Sequence, residues 1–420
     1  MDLTPWRGSR DFRLLVLAGT VFYLGGMVTY VALPYQLYHQ TGSNLAVGLM
    51  GAAELGPLLA FGLYGGAVAD HYDRRRVLVA TGTAQVVLTA GLLANALLAE
   101  PRVWLLYVIG AGLSAAQSVQ RPSREALLPR VVGHDQVPAA IAMSSFGIQV
   151  GLLAGPAVGG LLVAHAGLGW AYAVDVTALT VATALFAALR PLRIADDTQP
   201  PSLSRIAAGL RYAISRPVLM GTYVVDIVAM LMAMPEVIYP AFASTVLHRP
   251  ELLGLLYTAG TAGSLLATAA SAWTRRVHHH GRAVIVAAAA WGACIGLAGL
   301  APSVWLVLPA LVLAGACDMT SGLFRATIWN QTIPDAMRGR LAGIEMLSYS
   351  IGPLGGQVRA GLMADLLGVR RAIVAGGLLC VGGVGAAAAS LPAMWHYDAR
   401  TDEHAVRERE LRAARGPAGV

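Results

Sequence analysis

Twelve runs of apolar residues, each long enough to cross a bilayer, take up most of this 420-residue chain. They lie near 14–37, 45–69, 77–98, 103–120, 136–163 and 168–189, then near 218–246, 251–273, 283–300, 303–324, 341–367 and 371–393. A spanning helix needs roughly 20 apolar residues. Only 13% of residues are charged and 56% are hydrophobic, against about 25% charged in a typical soluble domain. So little polar surface makes lipid the solvent. In lipid every backbone N–H and C=O must be paired within its own segment, which points to helices. The expected fold class is an all-α membrane protein.

Arginine placement tests the count. The chain has 30 lysines plus arginines, and all are arginine. With a cytoplasmic N-terminus, twenty-four fall in inner segments and four (Arg102, Arg249, Arg370 and Arg371) in outer loops. Positive charge marks the cytoplasmic side. An odd number of spans would scramble that bias, so twelve spans with both termini cytoplasmic are expected. The net charge of +7 does not read as a nucleic-acid surface, because the arginines sit in short loops. The first apolar run is too long for a signal-peptide core and reads as a retained span. Cys294, Cys317 and Cys380 lie in apolar segments and read as small core residues, with no disulfide or metal framework. The run His278–His280 lacks a carboxylate beside it and reads as solvated.

The expected organisation is an N-terminal six-helix bundle over 1–192, a cytoplasmic linker with an amphipathic helix over 193–216, a C-terminal six-helix bundle over 217–395 and a cytoplasmic tail over 396–420. The tail alternates in charge and reads as a solvated helix or disorder. Anchors in the first half recur 204 to 206 residues later in the second: Arg121, before Leu127-Leu128-Pro129-Arg130, answers to Arg325, before Thr332-Ile333-Pro334-Asp335, and Gly48-Leu49-Met50 answers to Gly254-Leu255-Leu256. Such a six-plus-six repeat is a transporter pattern.

Gly66, Asp70, Arg74 and Arg75 sit in the loop after the second span with the spacing of the signature Gly-x-x-x-Asp-Arg/Lys-x-Gly-Arg-Arg/Lys. This resembles the major facilitator superfamily (MFS), although His71 and Asp73 depart from the pattern. The fifth span, Gly147-x-x-x-Gly151-x-x-x-Gly155-Pro156-x-x-Gly159-Gly160, resembles the antiporter motif of MFS exporters. Glycine every four residues also makes a close-packing face, and Gly352-Pro353-Leu354-Gly355-Gly356 repeats a fragment of it. Ala32 to Leu37 and Ile333 to Arg340 resemble the enterobactin-exporter-like and multidrug branch. The resemblance implies an MFS fold of two pseudo-symmetric six-helix bundles. It also implies a conformational latch at Gly66, Asp70, Arg74, Arg75 and Glu125, in which Arg74 pairs with Asp70 or Glu125.

Glu54, Asp175, Asp226, Glu236, Asp318, Arg325, Glu345 and Arg359 fall within or near spans. At about 2.5–3.5 kcal/mol each on insertion scales, facing lipid would cost on the order of 20 kcal/mol together. All but Asp175, which reads as interfacial, are candidates for a proton- or substrate-binding cavity. The alternative for the acids is structural pairing with Arg325 or Arg359. Two prolines bracket Met234-Pro235-Glu236-Val237-Ile238-Tyr239-Pro240, so the seventh helix is expected to bend there. Enterobactin-exporter-like proteins commonly carry a base at the Glu236 position; an acid there favours a neutral or cationic cargo.

The expected protein is no enzyme. It is a monomeric secondary exporter in the bacterial cytoplasmic membrane, with no cofactor, metal or nucleic-acid partner. Its partners are the lipid bilayer, protons as the antiported ion and a small amphipathic substrate such as a siderophore or drug. An uptake permease and a non-transporting scaffold are the alternatives.

Overall fold

Apolar sequence with sparse breakers gives long helices, and their ends are set by a few local devices. The computed structural model describes residues 3–190 and 210–415; within these, the side chains of 63–71, 134, 412–415 and parts of 335–347 lie outside the description. The linker expected over 193–216 therefore lies largely outside it, with a helical turn at 210–214. The long helices are α1 (Arg10–Thr41), α2 (Asn44–His71), α3 (Arg74–Ala96), α4 (Val103–Leu127), α5 (Val137–His165) and α6 (Leu168–Ala187), followed by α7 (Pro217–Ala233), α8 (Leu253–Ala269), α9 (His280–Leu300), α10 (Val304–Thr332), α11 (Asp335–Leu367) and α12 (Val369–Ser390). Among the described residues there is no strand.

Among the described residues eleven stretches are long and apolar enough to cross a membrane, with α7 counted through Val246. The twelfth helix, α11, has 33 residues and carries more polar side chains. The Ser9 hydroxyl starts α1 by accepting from the Phe12 amide at 3.1 Å. Gly42 ends it at φ 65°, the left-handed conformation only glycine adopts cheaply. Gly167 (φ 88°) and Gly368 (φ 87°) turn the chain into α6 and α12, so the last helix of each half begins on the same kind of corner.

By contact the described chain falls into two units, the first holding α1–α6 with Val237–Thr258, the second holding the rest. In the first, α1 packs on α5 and α6, α2 on α4, and α3 on α4 and α6. In the second, α7 packs on α11 and α12, and α9 on α10 and α12. There α8 meets α10 where a Cβ on Gly263 would strike the Val312 backbone and one on Gly315 the Gly260 backbone. This is the first unit's scheme moved six helices along.

The glycine faces carry the repeat into atomic detail. A Cβ on Gly147, Gly151 or Gly155 would strike Thr20, Tyr23 or Met27 of α1. A Cβ on Gly352 or Gly356, each 205 positions later, would strike Met230 of α7 or Met234 just past it. Gly159 meets Val28, while Gly160 faces Gly254 at the start of α8.

Past Ala233 the seventh helix is broken as expected. Pro235 follows an extended Met234 (ψ 113°), and short turns over Glu236–Ile238, Tyr239–Ala241 and Phe242–Val246 carry the chain on.

The tail differs from the solvated reading. Met394, Tyr397 and Ala405 are buried, and the helix Glu403–Arg415 packs on α10. The Arg282 Nε donates to the Trp395 carbonyl at 3.1 Å, and the Tyr397 hydroxyl to Gln331 Oε1 at 3.3 Å. Charge alternation hid these apolar anchors. His279 Nδ1 lies 3.6 Å from Asp398 Oδ2, whose carboxyl is held below the usual carboxylate range first by the Arg400 amide and then by His279.

Candidate functional site

In the second unit, three helices bring their polar positions together by helical spacing. Residues four apart share a helix face. Thr222 and Asp226 do so on α7, Arg325 and Trp329 on α10, and Glu345 and Tyr349 on α11. Asp226 and Arg325 are each 4% exposed, and the Arg325 guanidinium meets Asp226 Oδ1 as an ion pair. The Ser348 hydroxyl donates to the other oxygen, Asp226 Oδ2, at 2.9 Å. The guanidinium also lies over the Tyr349 ring, 5.6 Å from its centroid, within cation–π range. The Trp329 Nε1 donates to Thr222 Oγ1 at 2.8 Å, and its ring centroid lies 5.3 Å from that of Tyr223 and 6.1 Å from that of Tyr349, tilted against both. Asp318, two turns before Arg325, is within electrostatic reach of both Arg325 and Asp226. Glu345 is within reach of Tyr223 and Tyr349. The result is three acids, one arginine and three aromatic rings in an apolar bundle. Such a group is suited to hold an amphipathic molecule by rings and charge together, or to trade a proton among its acids.

Arg359 stands apart from that cluster and pairs with no acid among the described residues. Its Nε donates to the Leu231 carbonyl at 3.0 Å and its Nη2 to the Met234 carbonyl at 3.5 Å. Gly376 of α12 leaves the space its guanidinium fills. Arg359 thus caps the broken end of α7, where the helix dipole is negative. Glu236, half-buried, opens the turn just past that break. Glu54 belongs to the first unit, on α2 opposite Gly110 of α4.

Sequence reasoning missed Ser348, Thr222, Tyr349 and Trp329. Their placement three or four residues from Asp226, Arg325 and Glu345 was the available signal. It also missed Arg124, which is 9% exposed and donates to the Tyr23 hydroxyl at 2.9 Å.

In the arginine loop, the Gly66 and Asp70 side chains lie outside the described residues. Arg74 Nη1 donates to the Ala126 carbonyl at 3.0 Å. Glu125 takes its bond from Arg121 Nε at 2.9 Å, one turn back on its own helix, while the other expected partner of Arg74, the Asp70 carboxylate, lies outside the described residues. Arg75, expected as part of the latch, donates from Nε to the Ala187 carbonyl at 3.1 Å. Arg74 and Arg75 therefore cap the ends of α4 and α6.

The whole chain, residues 2–420, matches the family model described as "Transmembrane secretion effector", an MFS family. The chain belongs to that family. It is 28% identical to the enterobactin exporter EntS of Escherichia coli O139:H28 over 391 residues, covering 91% of this chain and 92% of that protein. The same figures hold for EntS of Shigella boydii serotype 18. Among solved structures, a bacterial homologue of the human lysosomal transporter Spinster shares the fold (TM-score 0.69, 15% identity, 92% of this chain and 95% of that one). A bacterial homologue of the iron transporter ferroportin does so too (TM-score 0.67, 14% identity, 92% and 99%). The chain is accordingly a multi-pass MFS transporter of the enterobactin-exporter-like kind, and it is no enzyme.

Proposed function

We propose that this transporter exports a small amphipathic molecule from the cytoplasm, in exchange for protons, by alternating access of its two six-helix halves. Similarity to an enterobactin exporter along 91% of the chain is the observation that carries export. The cargo is of the siderophore or drug class, and neutral or cationic, because Glu236 places an acid where a catecholate exporter commonly has a base. The Asp226–Arg325–Tyr349 group supplies the charge and rings such a cargo needs. The protein sits as a monomer in the bacterial cytoplasmic membrane with both termini inside, the side that the arginine bias favours.

Comparative metabolomics of cells and medium, with and without the protein, tests this reading. The cargo should build up in cells and fall in the medium when the protein is removed, and collapse of the proton gradient should reproduce that pattern. An unchanged metabolite profile under iron limitation and drug challenge overturns export.

A further inference from the structure

Asp175 on α6 reads as interfacial from sequence, yet it is 2% exposed. It stands seven residues inside α6, about 10 Å along the helix axis from Leu168. The face of α1 opposite it is built around a carboxyl group. Gly25 supplies a notch: a Cβ there would lie 2.6 Å from Asp175 Oδ1 and 2.5 Å from the Ala178 methyl. Thr29, one turn on and 7% exposed, donates its hydroxyl to Asp175 Oδ2 at 2.5 Å. Asp175 Oδ1 is buried without a hydrogen-bond partner. One helical turn away along the same seam, the Tyr172 hydroxyl donates to Gln36 Oε1 at 2.6 Å.

No cation answers this acid among the described residues. Helices α1, α3 and α5 pack on α6. The charged or titratable side chain nearest to Asp175 on α6 itself is Tyr172. On α1, Tyr30 follows Thr29 directly and stacks edge-on against Tyr257; Tyr23 is held by Arg124; His39 is ten residues past Thr29, about 15 Å along the axis. The arginines of α3 are confined to its first turn and the one histidine of α5, His165, ends that helix. The described ion pairs include none to Asp175. Asp226 contrasts with it, since an arginine neutralises that acid. A lone buried carboxylate with an unpartnered oxygen costs several kcal/mol or more, and taking up a proton removes that cost.

We propose that Asp175 is a proton-binding site of the first unit, loaded while α1 and α6 are packed and emptied when Gly25 and Thr29 withdraw from it together. On release, the carboxyl O–H bond breaks, the proton leaves on a water admitted between the helices, and the carboxylate keeps the electron pair. Gly25 and Thr29 share one face of α1, so a tilt of α1 moves both. The coupling role rests on the proton-driven reading above; the binding site does not.

Infrared titration of the full-length chain in lipid nanodiscs tests the site with the proton itself as probe. Wild type should show a protonated-carboxyl C=O band that disappears on alkalinisation. Asp175→Asn should lack that band, and Thr29→Val should shift it, because the hydroxyl no longer polarises the carbonyl. Identical spectra for wild type and Asp175→Asn at every pH overturn the proposal. So does a band that is lost in Asp175→Asn but in wild type never responds to pH, since it would mark a permanently neutral structural acid. The measurement needs neither cargo nor gradient. If the band behaves as expected while the metabolite profile shows no export, the export reading fails and the site stands.

Discussion

Arg359 Nε donates to the Leu231 carbonyl, and that carbonyl needs a donor because Pro235, four residues on, has no N–H to give it. The break in the seventh helix is therefore held by a side chain of α11. A helix end left without such a partner inside a bilayer costs the desolvation of its carbonyl.

That relationship predicts a paired outcome. Arg359→Met removes a charged hydrogen bond worth about 1.5–3 kcal/mol and should lower the thermal midpoint in detergent. Pro235→Ala restores an N–H at the place where the guanidinium now serves, so Arg359→Met should cost clearly less in the Pro235→Ala background. Equal costs in both backgrounds would mean that the cap is incidental.

The Asp226–Arg325 pair predicts a split between stability and transport. Asp226→Asn or Arg325→Met alone strands a buried polar partner, with a loss of about 3–5 kcal/mol. Asp226→Leu with Arg325→Met should recover much of that stability, because apolar side chains suit the site, while export stays lost. Export equal to wild type in the double variant would remove the pair from the transport site. Thermal unfolding and cargo efflux from the same preparations give both readings.

Why some of this was legible in the sequence and some was not has a physical basis. Span length, the break at Met234-Pro235 and the glycine face from Gly147 to Gly160 are local properties, so they could be read from residue types and spacing. Partners across helices depend on helix rotation, which periodicity leaves open when a helix is apolar on all sides. Asp175 illustrates the limit: its depth is countable, but that Gly25 and Thr29 face it is not. Arg359 illustrates another, because a donor to backbone carbonyls has no partner residue type to look for. Glu125 illustrates a third, because Arg121, one turn back on α4, offers it a cation on its own helix.

The arginine loop should separate by position. Arg75→Gln removes the cap on the Ala187 carbonyl at the end of α6, a loss of roughly 0.5–2 kcal/mol for a cation at a helix C-terminus. The Arg76 side chain is 88% exposed, and its nearest acid is Asp73 at 3.9 Å; Arg76→Gln should change stability by less than about 0.5 kcal/mol. Unfolding midpoints of the two variants, measured at equal lipid content, make the comparison. Equal midpoints would reduce Arg75 to topological charge.

Glycine substitutions test whether close approach of α1 and α5 is a packing requirement. A Cβ on Gly151 would sit 2.7 Å from Tyr23 Cβ and 2.9 Å from the Leu24 amide nitrogen, and backbone cannot step aside as a flexible side chain can. Gly151→Val should therefore cost about 1–3 kcal/mol or more through overpacking and abolish efflux. A Cβ on Gly26, on the α1 side of the same unit, would have nothing within 4 Å. Gly26→Ala should fold and transport as the wild type does, or gain a few tenths of a kcal/mol from helix propensity. Gly356→Val, where the added atoms would meet the Met230 carbonyl and Met234 Cβ, should repeat the Gly151 result in the second unit, since α11 packs on α7 as α5 packs on α1. A tolerated Gly356→Val beside a lethal Gly151→Val would show that the fifth helix carries a demand, beyond packing, that its repeat does not share.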